Sequence, residues 1–227
     1  MGAHGQSRSI GSRNLLIIGA HDGFHRIHHE LKSAVLAGID FEFFSPIGGD
    51  GVDRLLSGTV AKLNAFHPVY CSVTRGAGGS THSGTQTQVE RLLGLEVNAV
   101  PHLSVGGSSD AELDQPIDHY QHIGMRQILC LRDDQPYGSG QRPVYEKHLV
   151  ERLRSRYQDH FKLSVAAYAE LHPDVASADA DIQHFVAKVR ARASSAITQY
   201  FHYCDAYPFF LDRCAAAGLT VPVNAHY

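Results

Sequence analysis

The sequence has few cysteines, no long hydrophobic run and no excess of basic charge, and each shortage excludes a class of protein. Its four cysteines are scattered without a Cys-x-x-Cys pair, which is typical of a reduced chain and not of a disulfide scaffold. No apolar run approaches the roughly 18 residues that cross a bilayer, and the run 15–19 is too short for a signal-peptide core. We therefore expect a cytoplasmic protein that binds no membrane.

Charge and glycine patterns exclude further classes. Lys and Arg number 20 against 23 Asp and Glu, a net charge of −3 at pH 7, so the chain lacks the broad basic surface that nucleic acid binding requires. The glycine-rich segment 75–81 follows neither the Walker pattern nor the G-x-G-x-x-G pattern. With 227 residues, 43% of them hydrophobic, the chain is in the ordinary range of globular proteins.

Apolar, β-rich runs alternate with segments of helical spacing along the chain. Gly38, Gly124 and Gly218 each follow a periodic segment and precede a strand, as glycines at helix C-termini do. This alternation predicts a parallel sheet and an α/β fold of the (β/α)8 TIM-barrel type. Six strands are clear and a seventh is indicated at 219–223, so we expect the last one to two β/α units to be missing. The predicted strands are 39–44, 69–74, 97–105, 127–131, 163–168 and 196–201.

Polar side chains stand at the ends of these strands, where parallel α/β proteins place their active sites. Glu42 is the most informative, because apolar surroundings such as Phe41 and Phe43 would raise its pKa and make it a general acid near neutral pH. The alternative is an outward-facing strand residue. Asp134 could orient a heterocycle through its carboxylate or could simply cap the next helix.

The sequence contains sixteen histidines, and four of them, His21, His25, His28 and His29, lie within residues 21–29. His25 and His29 are four residues apart, which would suit a metal on a helix, but no Glu completes an H-E-x-x-H pattern. We predict no metal site and interpret these histidines as surface residues.

The strand ends carry a series of motifs in a fixed order: Phe-Glu-Phe-Phe-Ser-Pro at 41–46, Ser-Val-Thr-Arg-Gly-Ala-Gly-Gly-Ser-Thr at 72–81, Pro-His-Leu at 101–103, Leu-Arg-Asp-Asp-Gln-Pro at 131–136, Ser-Val-Ala-Ala-Tyr-Ala-Glu-Leu-His-Pro at 164–173, Ala-Ile-Thr-Gln-Tyr-Phe at 196–201 and Asp-Arg-Cys at 212–214. Taken in order, these motifs resemble the methylenetetrahydrofolate reductase family, the FAD-dependent (β/α)8 barrel enzymes of one-carbon metabolism. The resemblance runs from Asp40 to Val221, about four fifths of the chain.

The resemblance implies a role for each matching position. Glu42 would protonate the folate nitrogen, and Asp134 would act beside both the flavin and the pterin; with Gln199 these two would also contact substrate. Residues at the family's FAD-contacting positions would bind the cofactor, with Arg132 and Lys188 supplying positive charge for the pyrophosphate. These positions are Thr74, His102, Arg132, Asp134, Tyr145, Tyr168, His172, Asp181 and Lys188.

The implied activity is the reduction of 5,10-methylenetetrahydrofolate to 5-methyltetrahydrofolate by NADH or NADPH through FAD, in one-carbon metabolism and methionine biosynthesis. We expect a homo-oligomer that binds these small molecules and no nucleic acid. The domain division would be an N-terminal tail and helical extension at 1–38, followed by an incomplete barrel at 39–227.

Two departures from the family leave alternatives open. The chain ends six residues after Val221, where the family continues through its seventh and eighth strands, so a truncated, non-catalytic homologue with weak or no flavin binding is the alternative. The segment 15–23 reads as a strand and a turn outside the resemblance, and could be an added strand or foreign sequence. His21 and Asp22 after it would also suit a metal hydrolase, although no third ligand is evident.

Overall fold

The strands of the chain form a closed parallel β-barrel. The computed structural model describes residues 14–17, 39–43, 55–74, 82–104, 110–132, 146–171, 175 and 177–226. Within them eight strands follow one another around the barrel: β1 (Asn14–Ile17), β2 (Ile39–Phe43), β3 (Cys71–Val73), β4 (Ala99–Ser104), β5 (Gln127–Leu131), β6 (Lys162–Ala167), β7 (Ser195–Thr198) and β8 (Val223–His226).

Helices separate the strands from β2 onward, as in a (β/α) barrel. The described helices are α1, which begins as a π-helical segment over Leu55–Val60 and continues as an α-helix over Ala61–Asn64, α2 (His82–Gly94), α3 (Asp110–His122), α4 (Glu146–Tyr157), α5 (Ala178–Arg190) and α6 (Ala206–Ala216). The predicted α/β fold of TIM-barrel type is therefore confirmed.

The seven strands expected from the sequence are β2 to β8, and β8 (Val223–His226) begins at the end of the run 219–223, where the seventh was predicted. The eighth position of the barrel is filled by β1, which pairs with β8 through Asn14 and Ala225 and through Leu15 and His226. β1 in turn pairs with β2 over four residues, from Asn14 opposite Ile39 to Ile17 opposite Glu42. β1 overlaps the strand-like run at 15–19, which the sequence left open as an added strand. Its hydrogen bonds remove the open sheet edge that a seven-stranded barrel would expose.

Local sequence explains where the helices begin and end. Ser177 caps α5, because its side-chain oxygen accepts the Ala180 N–H, and this satisfies one of the first unpaired donors of the helix. Gly124 and Gly218 follow α3 and α6 with φ angles of +80° and +73°, the left-handed conformation that glycine adopts without strain. The predicted helix ends at these two glycines are confirmed, whereas Gly38 lies outside the described residues.

Alternating strand residues divide the buried side chains between two faces of the sheet. One set, including Phe41, Phe43 and Val165, packs against helix residues such as Leu92 and Leu153. The other set consists of residues in or next to strands and fills the barrel: Tyr70, Val100, Leu129 and Ile197. Glu42 alternates with Phe41 and Phe43, so its side chain belongs to the interior face.

Candidate active site

Glu42 lies at the carboxyl end of β2, on the interior face of the barrel. Its side chain is only 14% exposed, and burial raises the pKa of this carboxyl from 4.5 to about 7. The raised pKa expected from the sequence is confirmed, but its origin differs from the expectation. Phe41 and Phe43 point away toward the helices, so the desolvation comes from the barrel interior and not from the neighbours in sequence.

His102 is the ionisable side chain that faces Glu42 across the barrel. It lies in β4, is 6% exposed, and places its Nε2 atom 4.0 Å from the Glu42 Oε2 atom. This separation exceeds a hydrogen bond, so the imidazole does not hold the carboxylate in its ionised form. Glu42 therefore keeps the raised pKa of a buried acid. A small movement of either side chain would bring His102 within hydrogen-bonding distance of it.

The interior below Glu42 is polar as well, which the sequence did not reveal. Asp40, two residues earlier in β2, is fully buried, and its Oδ1 atom accepts the Tyr70 N–H at 3.2 Å. Burial and the Asp40 carboxylate both raise the pKa of Tyr70. Ser72 and Asn224 are buried on the same face. Asp40, Ser72 and Asn224 therefore add buried polar side chains to the barrel interior around Glu42.

Thr74 follows β3 and joins its end to β2. Its N–H and its hydroxyl both donate to the Phe43 carbonyl, at 2.9 and 3.3 Å, and its own carbonyl accepts the Thr85 hydroxyl from α2. The residue is 4% exposed. Thr74 therefore fixes the strand end beside Glu42, and its predicted contact with FAD stays a prediction.

Three further predicted residues come directly after neighbouring strands. Arg132 follows β5 and Tyr168 follows β6, and both are half-buried. Gln199 follows β7, where its N–H donates to the Ala167 carbonyl at 2.7 Å and its side chain is exposed. Because the carboxyl ends of parallel strands meet at one face of a barrel, these residues share that face with Glu42 and Thr74.

Lys188 is engaged within the protein. Its Nζ atom donates to Glu146 Oε2 and to the Ala166 carbonyl, each at 2.5 Å, and lies 5.8 Å from the centre of the Tyr168 ring. Glu146 in turn accepts the Ala166 N–H at 3.3 Å. Both ends of the ion pair are buried. The positive charge predicted to meet a pyrophosphate is therefore neutralised by a carboxylate 42 positions away that the sequence did not single out.

The remaining predictions are only partly placed. Asp181 lies in the first turn of α5, half-buried, and its N–H donates to the Ser177 carbonyl. Asp134, Tyr145 and His172 lie outside the described residues, as do His21, Asp22, His25 and His29. No group of three or more metal-ligating side chains occurs in the part of the chain that the structure covers. In that same part, no helix has the length and hydropathy to cross a membrane.

Comparison with known proteins decides the family. The sequence profile described as methylenetetrahydrofolate reductase matches residues 26–226. This chain belongs to the methylenetetrahydrofolate reductase family. The match begins after β1, so the strand that closes the barrel lies outside the part that the family profile covers.

Curated relatives of this reductase family extend across most of the chain. The 5,10-methylenetetrahydrofolate reductase of Pectobacterium carotovorum is 37% identical over 210 residues, which cover 88% of this chain and 68% of that protein. The Escherichia coli enzyme of the same name is 36% identical over 82% of this chain and 62% of its own length. Methylenetetrahydrofolate reductase (NADH) 1 of Arabidopsis thaliana is 30% identical over 87% of this chain and 36% of its own length. The chain thus spans about two thirds of the bacterial relatives' length.

A solved structure supports the architecture alone. The crystal structure of 2,3-dimethylmalate lyase superposes with a TM-score of 0.54 over 96% of this chain and 75% of that chain, at 10% sequence identity. At this identity the likeness concerns the barrel and not its chemistry.

Proposed function

We propose that this protein reduces 5,10-methylenetetrahydrofolate to 5-methyltetrahydrofolate, with FAD as its cofactor and NADH or NADPH as the source of electrons. The observation that carries the proposal is Glu42, a buried carboxyl with a pKa raised to about 7 at the carboxyl end of a barrel strand. An acid of this pKa is about half protonated at neutral pH, and the protonated fraction can release its proton to a substrate. Because the chain belongs to the methylenetetrahydrofolate reductase family, the proposed acceptor of this proton is a folate nitrogen.

In the proposed reaction Glu42 donates its proton to the folate nitrogen that leaves the bridging carbon. The C–N bond breaks, and the bridging carbon becomes an iminium that accepts a hydride to form the methyl group. The ionised Glu42 would then regain a proton from solvent, with His102 at 4.0 Å as the nearby group that can carry it. Gln199, exposed after β7, would contact the substrate.

The side chains around Glu42 fit a flavin by their chemistry. Thr74, His102 and Tyr168 would hold the ring system and its chain through hydrogen bonds and stacking, and Arg132 would meet the pyrophosphate. Lys188 would add less charge there than its position in the sequence implied, because Glu146 already neutralises it. When bound, FAD would supply the hydride. NADH or NADPH would reduce it beforehand.

The alternative is a truncated, non-catalytic homologue with weak or no flavin binding. The closed barrel supports the reductase over this alternative, because its eight strands pair around the full circle. A small-molecule reductase remains the function that the geometry favours.

A visible spectrum tests the proposal. We expect the purified, desalted protein to carry or take up FAD, to bleach with anaerobic NADH or NADPH, and to regain its colour when methylenetetrahydrofolate is added. Arg132→Ala should weaken FAD retention, while Arg192→Ala, which removes an exposed cation paired with Asp159, should not. Folded protein that takes up no FAD, or reduced protein that methylenetetrahydrofolate does not reoxidise, would contradict the proposal.

A further inference from the structure

The segment 199–205, between β7 and α6, is hydrogen-bonded to a carboxylate that follows another strand, β6. Glu170 lies three residues after β6, and its Oε1 atom accepts the N–H groups of His202 at 2.7 Å and Tyr203 at 2.9 Å. Successive backbone N–H groups of this kind form a concavity that binds an anion. Here the chain supplies the anion itself, from a residue 32 positions away.

The rest of the 199–205 segment is anchored as well. Its first residue is tied to β6 by the hydrogen bond from Gln199 N–H to the Ala167 carbonyl. Phe201 is buried, and its ring stacks on Tyr207 with the centroids 5.9 Å apart and the planes at 6°. The Tyr207 hydroxyl donates to the Val223 carbonyl of β8 at 2.7 Å. The segment is therefore tied to β6 by its backbone, and to α6 by the Phe201 ring, which stacks on the Tyr207 ring that is itself hydrogen-bonded to β8.

Several side chains of the 199–205 segment are exposed to solvent, although its backbone is held in place. Tyr200 and Tyr203 are 56% and 74% exposed, and Gln199 is exposed too. The Tyr200 ring meets His202 edge to face, with centroids 5.0 Å apart. An anchored loop with exposed aromatic and amide groups, placed where a barrel strand ends, is suited to bind a planar ring with little loss of conformational entropy.

We propose that Glu170 is a positioning residue that holds the 199–205 segment in one conformation, so that Gln199 and Tyr200 meet the substrate without prior ordering. The proposal rests on the proposed function for the identity of the substrate, a folate with a planar pterin. Glu170 itself touches no reacting atom. Its two hydrogen bonds lower its pKa, so the anion and the anchoring persist through the physiological pH range.

Three variants test this role. Glu170→Ala removes the acceptor, Glu170→Gln keeps a neutral acceptor of the same length, and Glu151→Ala removes an exposed carboxylate of α4 as the matched control. We expect Glu170→Ala to speed amide hydrogen exchange in residues 202 and 203 about tenfold, the effect of losing an ordinary hydrogen bond. It should raise KM for methylenetetrahydrofolate by a similar factor while kcat changes less than about threefold. Glu170→Gln should restore part of both losses.

Each measurement can overturn the proposal by itself. Exchange at 202 and 203 that matches the Glu151→Ala control would show that Glu170 does not hold the segment. A loss confined to kcat would give Glu170 a different role. If the wild-type protein catalyses no turnover, the proposed function fails, and the exchange comparison, with circular dichroism to verify folding, still decides whether Glu170 fixes the segment.

Discussion

Glu42 inside the barrel and Glu170 at its rim are the same kind of side chain with pKa values moved in opposite directions. Glu42 is buried without a hydrogen-bonded cation, and its pKa rises to about 7. Glu170 is exposed but accepts two backbone N–H groups, and its pKa falls below 4.5. Desolvation favours the protonated form, and hydrogen bonds to the carboxylate favour the ion. The interior thus holds a proton donor and the rim a permanent anion.

The largest effect that this comparison predicts is on proton donation. Glu42→Gln keeps the shape of the side chain and removes its proton, so the folate half-reaction should slow by about 10²-fold or more. Reduction of the flavin by NADH or NADPH should change little, because that step needs no proton from Glu42. Rapid-mixing absorbance of each half-reaction measures both rates. Equal losses in the two half-reactions would show that Glu42 serves binding or folding instead.

The second-largest expected effect is on the free energy of unfolding, when the buried pair of Glu146 and Lys188 is broken. Glu146→Ala leaves the ammonium buried and unpaired, which should lower the free energy of unfolding by about 3–5 kcal/mol. The double variant Glu146→Met with Lys188→Met removes both charges and should recover much of that loss. Urea denaturation measures the difference. A double variant as unstable as Glu146→Ala would show that packing, and not the uncompensated charge, sets the cost.

The pH dependence should separate the interior carboxyl from the rim carboxyl. The folate half-reaction should slow as the pH rises through about 7, because Glu42 loses the proton that it must donate. Its folded-state pKa is above the value of 4.5 expected when unfolded, so its contribution to stability is complete below pH 4.5 and is lost as the pH climbs to about 7. Urea titrations of wild type and Glu42→Gln between these values should diverge with rising pH. Parallel curves would mean that Glu42 is ionised in the folded protein.

The smallest effect is expected at the surface of α4. Glu151 and Lys147 form an exposed pair at 3.8 Å on the same helix as Glu146. Glu151→Ala should change the free energy of unfolding by less than about 0.5 kcal/mol, because water already screens this pair. The same urea series measures it. A loss approaching that of Glu146→Ala would undermine the distinction between buried and exposed carboxylates.

Local sequence was enough to predict the barrel strands from β2 to β7 and the raised pKa of Glu42. The strands are short apolar runs between helical segments, and the raised pKa follows from burial at a strand end. The sequence named the wrong cause for that shift, since side-chain alternation turns Phe41 and Phe43 away from the carboxyl.

The contacts that sequence could not predict join residues far apart in the chain. Glu146 reaches Lys188 and Glu170 reaches His202 because neighbouring β/α units pack side by side. No periodicity or motif predicts such a pairing. The pairing of β1 with β8 likewise joins residues far apart in the sequence. The sequence showed a strand-like run at 15–19, but whether it joined the barrel depended on a partner near the other end of the chain.

The closure between β1 and β8 also bears on how the protein folds. Asn14 and Ala225 pair from opposite ends of the described chain, so this contact has almost the largest sequence separation available to it. Such contacts form late, because the chain entropy lost in joining them is recovered only when the intervening strands are in place. During synthesis the barrel stays open until its last strand has left the ribosome.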